Sequence, residues 1–316
     1  MKEQKSAVES ETIWAYLIHQ GANLWADRVT PEWKYDHASY HPSLRCETTV
    51  WNELTEKMAD AGLNMVVIDL ADGIRYDSHP EIAVKRAWTV KRLKKELKRL
   101  RRLGLEPIPK LNFSAAHDTW LGPYSRCLST EPYYQVCRDL IAEVIEIFEG
   151  PRFFHLGMDE ETVQHQRFYQ FVVVRQHGLW WHDLHFYLEE VRKGGSRPWV
   201  WSDYYWHYPD KFMENMPRDV LQSNWYYAER FDRRLERVKT YLDLNEAGFD
   251  QVPTGSNHSV HENLEKTVRY CTPRLDENLL LGFLQSVWRL TQECYRDRLF
   301  GAIKAVEEAK AAYETM

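Results

Sequence analysis

Eight short β-rich runs alternate with helical stretches along the whole chain, and this alternation restricts the possible folds more than any other feature. The runs are IWAYLIH (13–19), NMVVIDL (64–70), EPIPKLN (106–112), RFFHLG (152–157), PWVWSD (198–203), VLQSNW (220–225), FDQVPT (249–254) and LLGFLQSVW (280–288). Between them the apolar residues recur at helical spacing over 51–61, 90–103, 131–148, 163–193 (with a break near Gly178), 230–247, 260–270 and 293–313. The connection around Pro209–Asn215 is the shortest. Strands that alternate with helices form parallel sheets with right-handed crossovers. Eight such units without a linker predict an α/β fold, a single (β/α)8 TIM barrel over residues 1–316 as one domain. No G-x-G-x-x-G follows the first run, which argues against an open nucleotide-binding sheet.

The charge balance narrows the partners. A formal charge of -6 is the opposite of a nucleic-acid footprint. The one basic run, KRLKKELKRLRRLG (91–104), carries Leu93, Leu97 and Leu100 at helical spacing and reads as a helix with its cations in solvent. No stretch has the ~18 apolar residues of a membrane helix, and MKEQKSAVESETIW lacks the apolar centre of a signal peptide. Five cysteines without a C-x-x-C pair are expected to be reduced thiols. The expectation is a cytoplasmic protein with neither nucleic acid nor membrane as partner; the oligomeric state is left open.

A barrel places its functional residues at the C-terminal ends of its strands. Those ends hold His19, Gln20 and Asn23; Asp69 and Asp72; Asn112, His117 and Trp120; and His155, Asp159, Glu160 and Glu161. They continue with Trp201, Asp203 and Tyr204–Trp206, then Asn224, Trp225 and Tyr226, then Ser256–His258, and last Gln285 and Trp288. Asp69 and His155 read equally well as interior polar groups, and Trp201 and Trp288 as plugs of the barrel top. Glu161 is expected to point away or to begin the next helix, where the dipole favours a carboxylate. One cap would suffice for that helix, so Asp159 and Glu160 need another explanation. Two adjacent half-buried carboxyls repel each other, and one of them is driven to hold a proton. A protonated carboxyl beside an ionised one, among aromatic side chains that suit sugar faces, is the equipment of glycoside hydrolysis. With 13 Trp and 18 Tyr, the chain has the aromatic residues to line such a cleft.

These residues resemble a family. FFHLGMDEE is similar to the H-x-G-G-D-E strand-four motif of the family 20 glycoside hydrolases, the β-N-acetylhexosaminidases, with His155, Gly157, Asp159 and Glu160 in place and Met158 where the second glycine stands. NMVVIDLADGIR resembles the strand-two segment and puts Asp72 at its aspartate, and PIPKLNFSAAH resembles the strand-three segment that ends in a site histidine, His117. PWVWSD resembles the strand-five W-x-D, and LGFLQSVW the strand-eight run that ends in a pocket tryptophan. The likeness covers about residues 60 to 290, and only the strand-four motif is specific by itself. It implies a substrate-assisted retaining hydrolysis of terminal 2-acetamido-2-deoxy-hexosides, without metal or other cofactor. Glu160 would be the acid and base, and Asp159 would orient the acetamido group. Asp72 and His117 would pair beneath Glu160, with His155 also supporting. Trp201, Trp225 and Trp288 would wall the acetamido pocket, with Asp203 and Tyr226 as further contacts to the carbohydrate.

The sequence departs from the family at three strand ends. HQGANLW has no arginine after strand one, VPTGSNHS has no Y-x-D, and an arginine–leucine pair follows Trp288 where the family has W-x-E. No counterpart of the family's N-terminal α/β domain is expected within these residues. The loop DRVTPEWKYDHASYHPSLRC (27–46) is expected to cover part of the cleft. Two other readings stay open. One is a sugar-binding barrel without hydrolysis, prompted by the bulk of Met158. The other is a metal-dependent barrel isomerase or hydrolase, prompted by 13 histidines, although no H-E-x-x-H supports it.

Overall fold

The computed structural model describes residues 11–32 and 36–316. Residues 1–10, and 33–35 within the 27–46 loop, lie outside the described residues. Eight parallel strands form the sheet: β1 (Ile13–His19), β2 (Met65–Asp69), β3 (Glu106–Lys110), β4 (Phe153–His155), β5 (Arg197–Trp201), β6 (Leu221–Ser223), β7 (Thr254–Ser256) and β8 (Gly282–Ser286). Consecutive strands pair from β1 to β6, β7 pairs with β8, and β8 pairs with β1. The seam between β6 and β7 is joined by bridges at Gln222↔Gln251 and Trp225↔Thr254, which complete the (β/α)8 TIM barrel.

The crossovers are α1 (Thr48–Asp60), α2 (Val90–Arg102), α3 (Glu131–Ile147), α4 (Gly178–Lys193), the short α5 (Tyr204–His207) and α6 (Pro209–Asn215), α7 (Glu236–Glu246), α8 (Asn263–Cys271) and α9 (Arg296–Glu314). On α2 the predicted stripe holds: Leu93, Leu97 and Leu100 are buried and the lysines face out. No helix among the described residues is long and apolar enough to cross a membrane.

Two expectations shift. The seventh strand was predicted at 249–254, yet its continuous pairing covers Thr254–Ser256 and only isolated bridges, to Gln222 and Leu280, form at Gln251. Pro253 has no N–H to give to a ladder, so the regular pattern starts after it. The predicted 163–193 helix begins only at Gly178. Residues 163–177 run irregularly apart from a 3-10 turn at Gln164–Gln166, and Arg175 shows why. Its guanidinium is buried, paired with Glu161 at 2.6 Å and Asp183 at 2.8 Å, and it donates to the Phe113 carbonyl. Meeting those partners draws the segment off the helical path.

Strand alternation divides the core in two. Ile13, Ala15, Leu17, Met65, Val67, Ile108, Phe153, Trp199 and Leu221 fill the barrel interior, while Trp14, Tyr16 and Ile18 pack outward against the helices. At the C-terminal end the filling turns polar. His19, Asp69, Lys110 and His155, the last residues of β1 to β4, lie side by side in register. Lys110 and Asp69 form a fully buried ion pair, with His19 Nδ1 3.7 Å from the same carboxylate. Removing one member of such a pair leaves an uncompensated buried charge. Lys110→Met is therefore expected to cost about 3–5 kcal/mol in urea unfolding. Lys110→Met combined with Asp69→Leu is expected to recover most of that loss; an equal loss in both variants would show that the pair is not the cause.

Candidate active site

The stretch after β4 is bent sharply to present its acids. Gly157, Met158 and Glu160 have φ of 71°, 76° and 57°, a region that costs non-glycine residues about 1–2 kcal/mol each. Neighbouring elements hold the bend in place. Asn112 Oδ1 accepts from the Met158 N–H at 3.2 Å, and Asn112 Nδ2 donates to Asp159 Oδ1 at 2.8 Å. The Ser114 hydroxyl donates to the Asp159 carbonyl. Asp203 accepts from the Glu160 N–H at 2.7 Å. At Gly157 a Cβ would run into Asn112, so that position requires glycine.

Glu161 neither points away nor starts a helix. It accepts from the Ala115 N–H at 2.9 Å and pairs with Arg175, so it fastens the loop to the structure behind it. The Met158 side chain goes the same way, with its sulfur 3.7 Å from Arg175. Its bulk therefore lies behind the acids and does not line the main cavity.

His117 joins the two acids. Its Nδ1 is 3.2 Å from Asp159 Oδ1 and its Nε2 is 3.6 Å from Glu160 Oε2. Burial opposes a charge on this ring, but Asp159 and Glu160 together outweigh burial and push it up to about 10. Burial likewise works to raise Asp159, yet His117, Lys110 and Asn112 hold it well below the usual carboxylate range. The same three side chains offer ligand atoms within 4.8 Å of one another, a set that could accept a divalent cation. A metal there would have to displace the proton on His117, since an imidazolium has no lone pair left for coordination.

The acids sit in a cavity of about 370 Å³ at the C-terminal end of the barrel. Trp25, Trp225, Trp288, Tyr227, His37, His165, Phe168 and His258 line it, together with His117, Asp159 and Glu160. Trp225 stacks on Tyr227 with centroids 4.9 Å apart. The Tyr227 hydroxyl accepts from Trp288 Nε1 at 3.3 Å and shares a hydrogen bond with Ser286 Oγ at 3.2 Å. Of the residues picked from sequence, Asp159, Glu160, His117, Trp225, His258 and Trp288 meet here.

The others are placed differently. Tyr226 turns outward, donating to the Arg230 carbonyl at 3.0 Å and packing on Phe231. In an extended chain residues 225 and 227 share a face, and that alternation was the available signal for Tyr227. Trp201 is buried beneath the cavity wall, against His155 at 4.5 Å and Trp288 at 6.0 Å. His155 accepts from the Gly157 N–H at 3.0 Å, and burial holds it well below its ordinary value, hence neutral. Asp72 does not pair with His117. It accepts from Asn23 Nδ2 at 2.6 Å, which ties the loops after β1 and β2 together, and burial raises it to about 6. His165 and Phe168 escaped the sequence reading because they lie in the segment taken for a helix.

Asp203 lies behind the acids, lining a smaller cavity on that side with Met158 and Arg175. Burial first, and the charge of Asp159 second, raise it to about 8. The unfolded chain ionises this group near 3.8. Between those two values the folded state holds one proton more than the unfolded state, so stability falls as pH rises. Asp203→Asn keeps the acceptor for Glu160 and removes the titration. Urea unfolding from about pH 4 to pH 8 is expected to show a flatter decline in the variant, by up to about 1.4 kcal/mol per pH unit. A decline as steep as in the parent protein would refute this assignment.

No known protein-family model matches the sequence, and no curated protein does. Solved structures do. The β-N-acetylhexosaminidase from Bacteroides fragilis superposes with a TM-score of 0.66 at 13% identity, over 95% of this chain and 65% of that one. A GH20 exo β-N-acetylglucosaminidase from Vibrio harveyi, in complex with N-acetylglucosamine, gives 0.63 at 15% identity, over 95% and 54%. The GH20 β-N-acetylhexosaminidase from Streptomyces coelicolor gives 0.62 at 13% identity, over 95% and 64%. The chain thus spans between half and two thirds of the length of these proteins, and it has the fold of the family 20 hexosaminidase barrel.

Proposed function

We propose that this chain is a retaining glycoside hydrolase that removes terminal 2-acetamido-2-deoxy-hexosides with the substrate's own acetamido group as nucleophile, and that it works as one catalytic barrel. The observation that carries the reading is the pairing of two acids through one imidazole in an aromatic cavity. Among the described residues lining that cavity, Asp159 and Glu160 are the only carboxylic acids. A two-carboxylate retaining enzyme needs its nucleophile across the sugar from the acid, about 5–5.5 Å away. Here both acids contact the same histidine ring, and no third carboxylate lines the opposite wall. A nucleophile carried by the substrate fits this arrangement and agrees with the mechanism that the family resemblance implies.

The steps follow from the atoms in place. Glu160 gives its proton to the glycosidic oxygen as the bond from the anomeric carbon breaks, and the leaving alcohol departs neutral. The acetamido carbonyl oxygen bonds to that carbon and forms an oxazolinium ring, whose positive charge gathers at the nitrogen. Asp159, fixed as an anion, stabilises that charge and orients the N–H. Tyr227 accepts from Trp288 Nε1, and its hydroxyl can turn its own proton to the acetamido oxygen when Ser286 Oγ donates to it. Water then attacks the anomeric carbon, its proton returns to Glu160, and the ring reopens with net retention. Trp225 and Trp288 supply apolar faces for the sugar and its methyl group. The turn of Met158 away from this cavity supports hydrolysis over binding alone.

The test is a comparison of aryl 2-acetamido glycosides with their 2-hydroxy counterparts; turnover is expected only on the former. Glu160→Gln is expected to lower kcat by about 10²–10⁴ with the fold intact. Asp159→Asn is expected to lower it by about 10²–10³ and to gain nothing from added azide. Equal rates on both substrate classes, or near-parental rates in both variants, would overturn the reading.

A further inference from the structure

We propose that His165, together with Thr162, is the positioning partner of Glu160 in both of its protonation states, serving as acceptor and as donor by a change of tautomer. The inference rests on Glu160 as the acid and base described above and adds a residue to that machinery.

The geometry is local and closed. His165 Nε2 lies 3.3 Å from Glu160 Oε1, and its Nδ1 lies 2.8 Å from the Thr162 hydroxyl. The Thr162 N–H in turn donates to the Glu160 carbonyl at 2.6 Å, so acid, hydroxyl and ring form one small circuit. The other carboxyl oxygen of Glu160 faces His117. With its other nitrogen turned to Asp159 and its proton held by two acids, His117 can only donate to Oε2. The transferable proton of the acid form therefore sits on Oε1, on the side of His165.

A partner for Oε1 must satisfy two opposite demands. It must accept a hydrogen bond while Oε1 carries the proton, and it must donate one after that proton has gone to the glycosidic oxygen. An ammonium or guanidinium cannot accept, and a carboxylate cannot donate. A neutral imidazole can do either, provided its far nitrogen has a partner that also reverses, and a threonine hydroxyl both donates and accepts. Burial, with the charge of His117, keeps His165 below its ordinary value in spite of Glu160. The ring is also part of the cavity wall and 39% exposed, so the incoming glycosidic oxygen can replace it as acceptor.

Four variants separate this role from simple packing, assayed with an aryl 2-acetamido glycoside. His165→Phe keeps a ring and loses both nitrogens; its kcat is expected to fall about 10- to 100-fold with KM within about twofold. His165→Gln can still donate or accept through its amide and is expected to recover most of that loss. Thr162→Val is expected to slow the parent protein, but to add little in the His165→Phe background, because the two act as one unit. The fourth, Glu160→Gln, is read without turnover. Histidine ¹⁵N NMR near neutral pH should find His165 uncharged, with a tautomer ratio that changes when Glu160 becomes Gln. Equal losses in the Phe and Gln variants, a charged His165, or a tautomer ratio indifferent to Glu160→Gln would each overturn the proposal. A parent protein inactive on every 2-acetamido glycoside would remove the hydrolase reading, and the NMR comparison would still decide the role of His165.

Discussion

One imidazolium between two carboxylates holds this site together. His117 reaches Asp159 with one nitrogen and Glu160 with the other, and each acid helps to keep the ring charged. Without that charge, Asp159 and Glu160 would face each other across a poorly solvated gap and one of them would have to take up a proton. With it, Asp159 stays ionised at the bottom of the cavity, and Glu160 is the more exposed of the two acids. The two acids are neighbours in sequence, yet their unequal tasks are set by a residue some forty positions earlier, on the loop after β3.

The barrel makes that contact possible by turning polar where its strands end. Parallel register sets His19, Asp69, Lys110 and His155 in one row across β1 to β4, directly above the apolar filling. Lys110 contributes to keeping Asp159 an anion and His155 neutral. Two residues past the end of β3, Asn112 grips both the backbone and the carboxylate of the strand-four loop. The positive φ of Met158 and Glu160 is the strain this arrangement tolerates, and the ion pairs of Arg175 with Glu161 and Asp183 hold the loop from behind. Buried charge and backbone strain are concentrated at this one end of the barrel, a pattern common at functional sites.

Much of this was legible in the sequence, for identifiable reasons. The eight strands could be read because both faces of a parallel barrel strand are buried, which leaves continuous apolar runs. Asp159 and Glu160 could be read because adjacent acids at a strand end have no packing explanation. What escaped reading depends on distant partners. The 163–177 segment has helical spacing, but Arg175 satisfies two buried acids instead, and the departure from the helix brings His165 to Glu160. Asp72 looked like a partner for His117, but Asn23, on a different loop, takes its carboxylate. Choosing Tyr226 over Tyr227 was an error of one residue, and in an extended segment one residue reverses the face. Lys110 drew no notice, since its partner Asp69 lies one strand away in the fold and forty-one residues away in the chain.

The central claim is that the substrate's acetamido oxygen forms the bond that displaces the aglycone. Stepwise fluorination of the acetyl methyl group weakens that oxygen as a nucleophile while barely changing its size. The direct measurement is kcat/KM across the series from acetyl to trifluoroacetyl on one aryl glycoside. The account expects a steep, monotonic fall over about two orders of magnitude or more, the loss of about 3 kcal/mol of transition-state stabilisation. A series with constant kcat/KM would show that the nucleophile is not the acetamido group and would contradict the account.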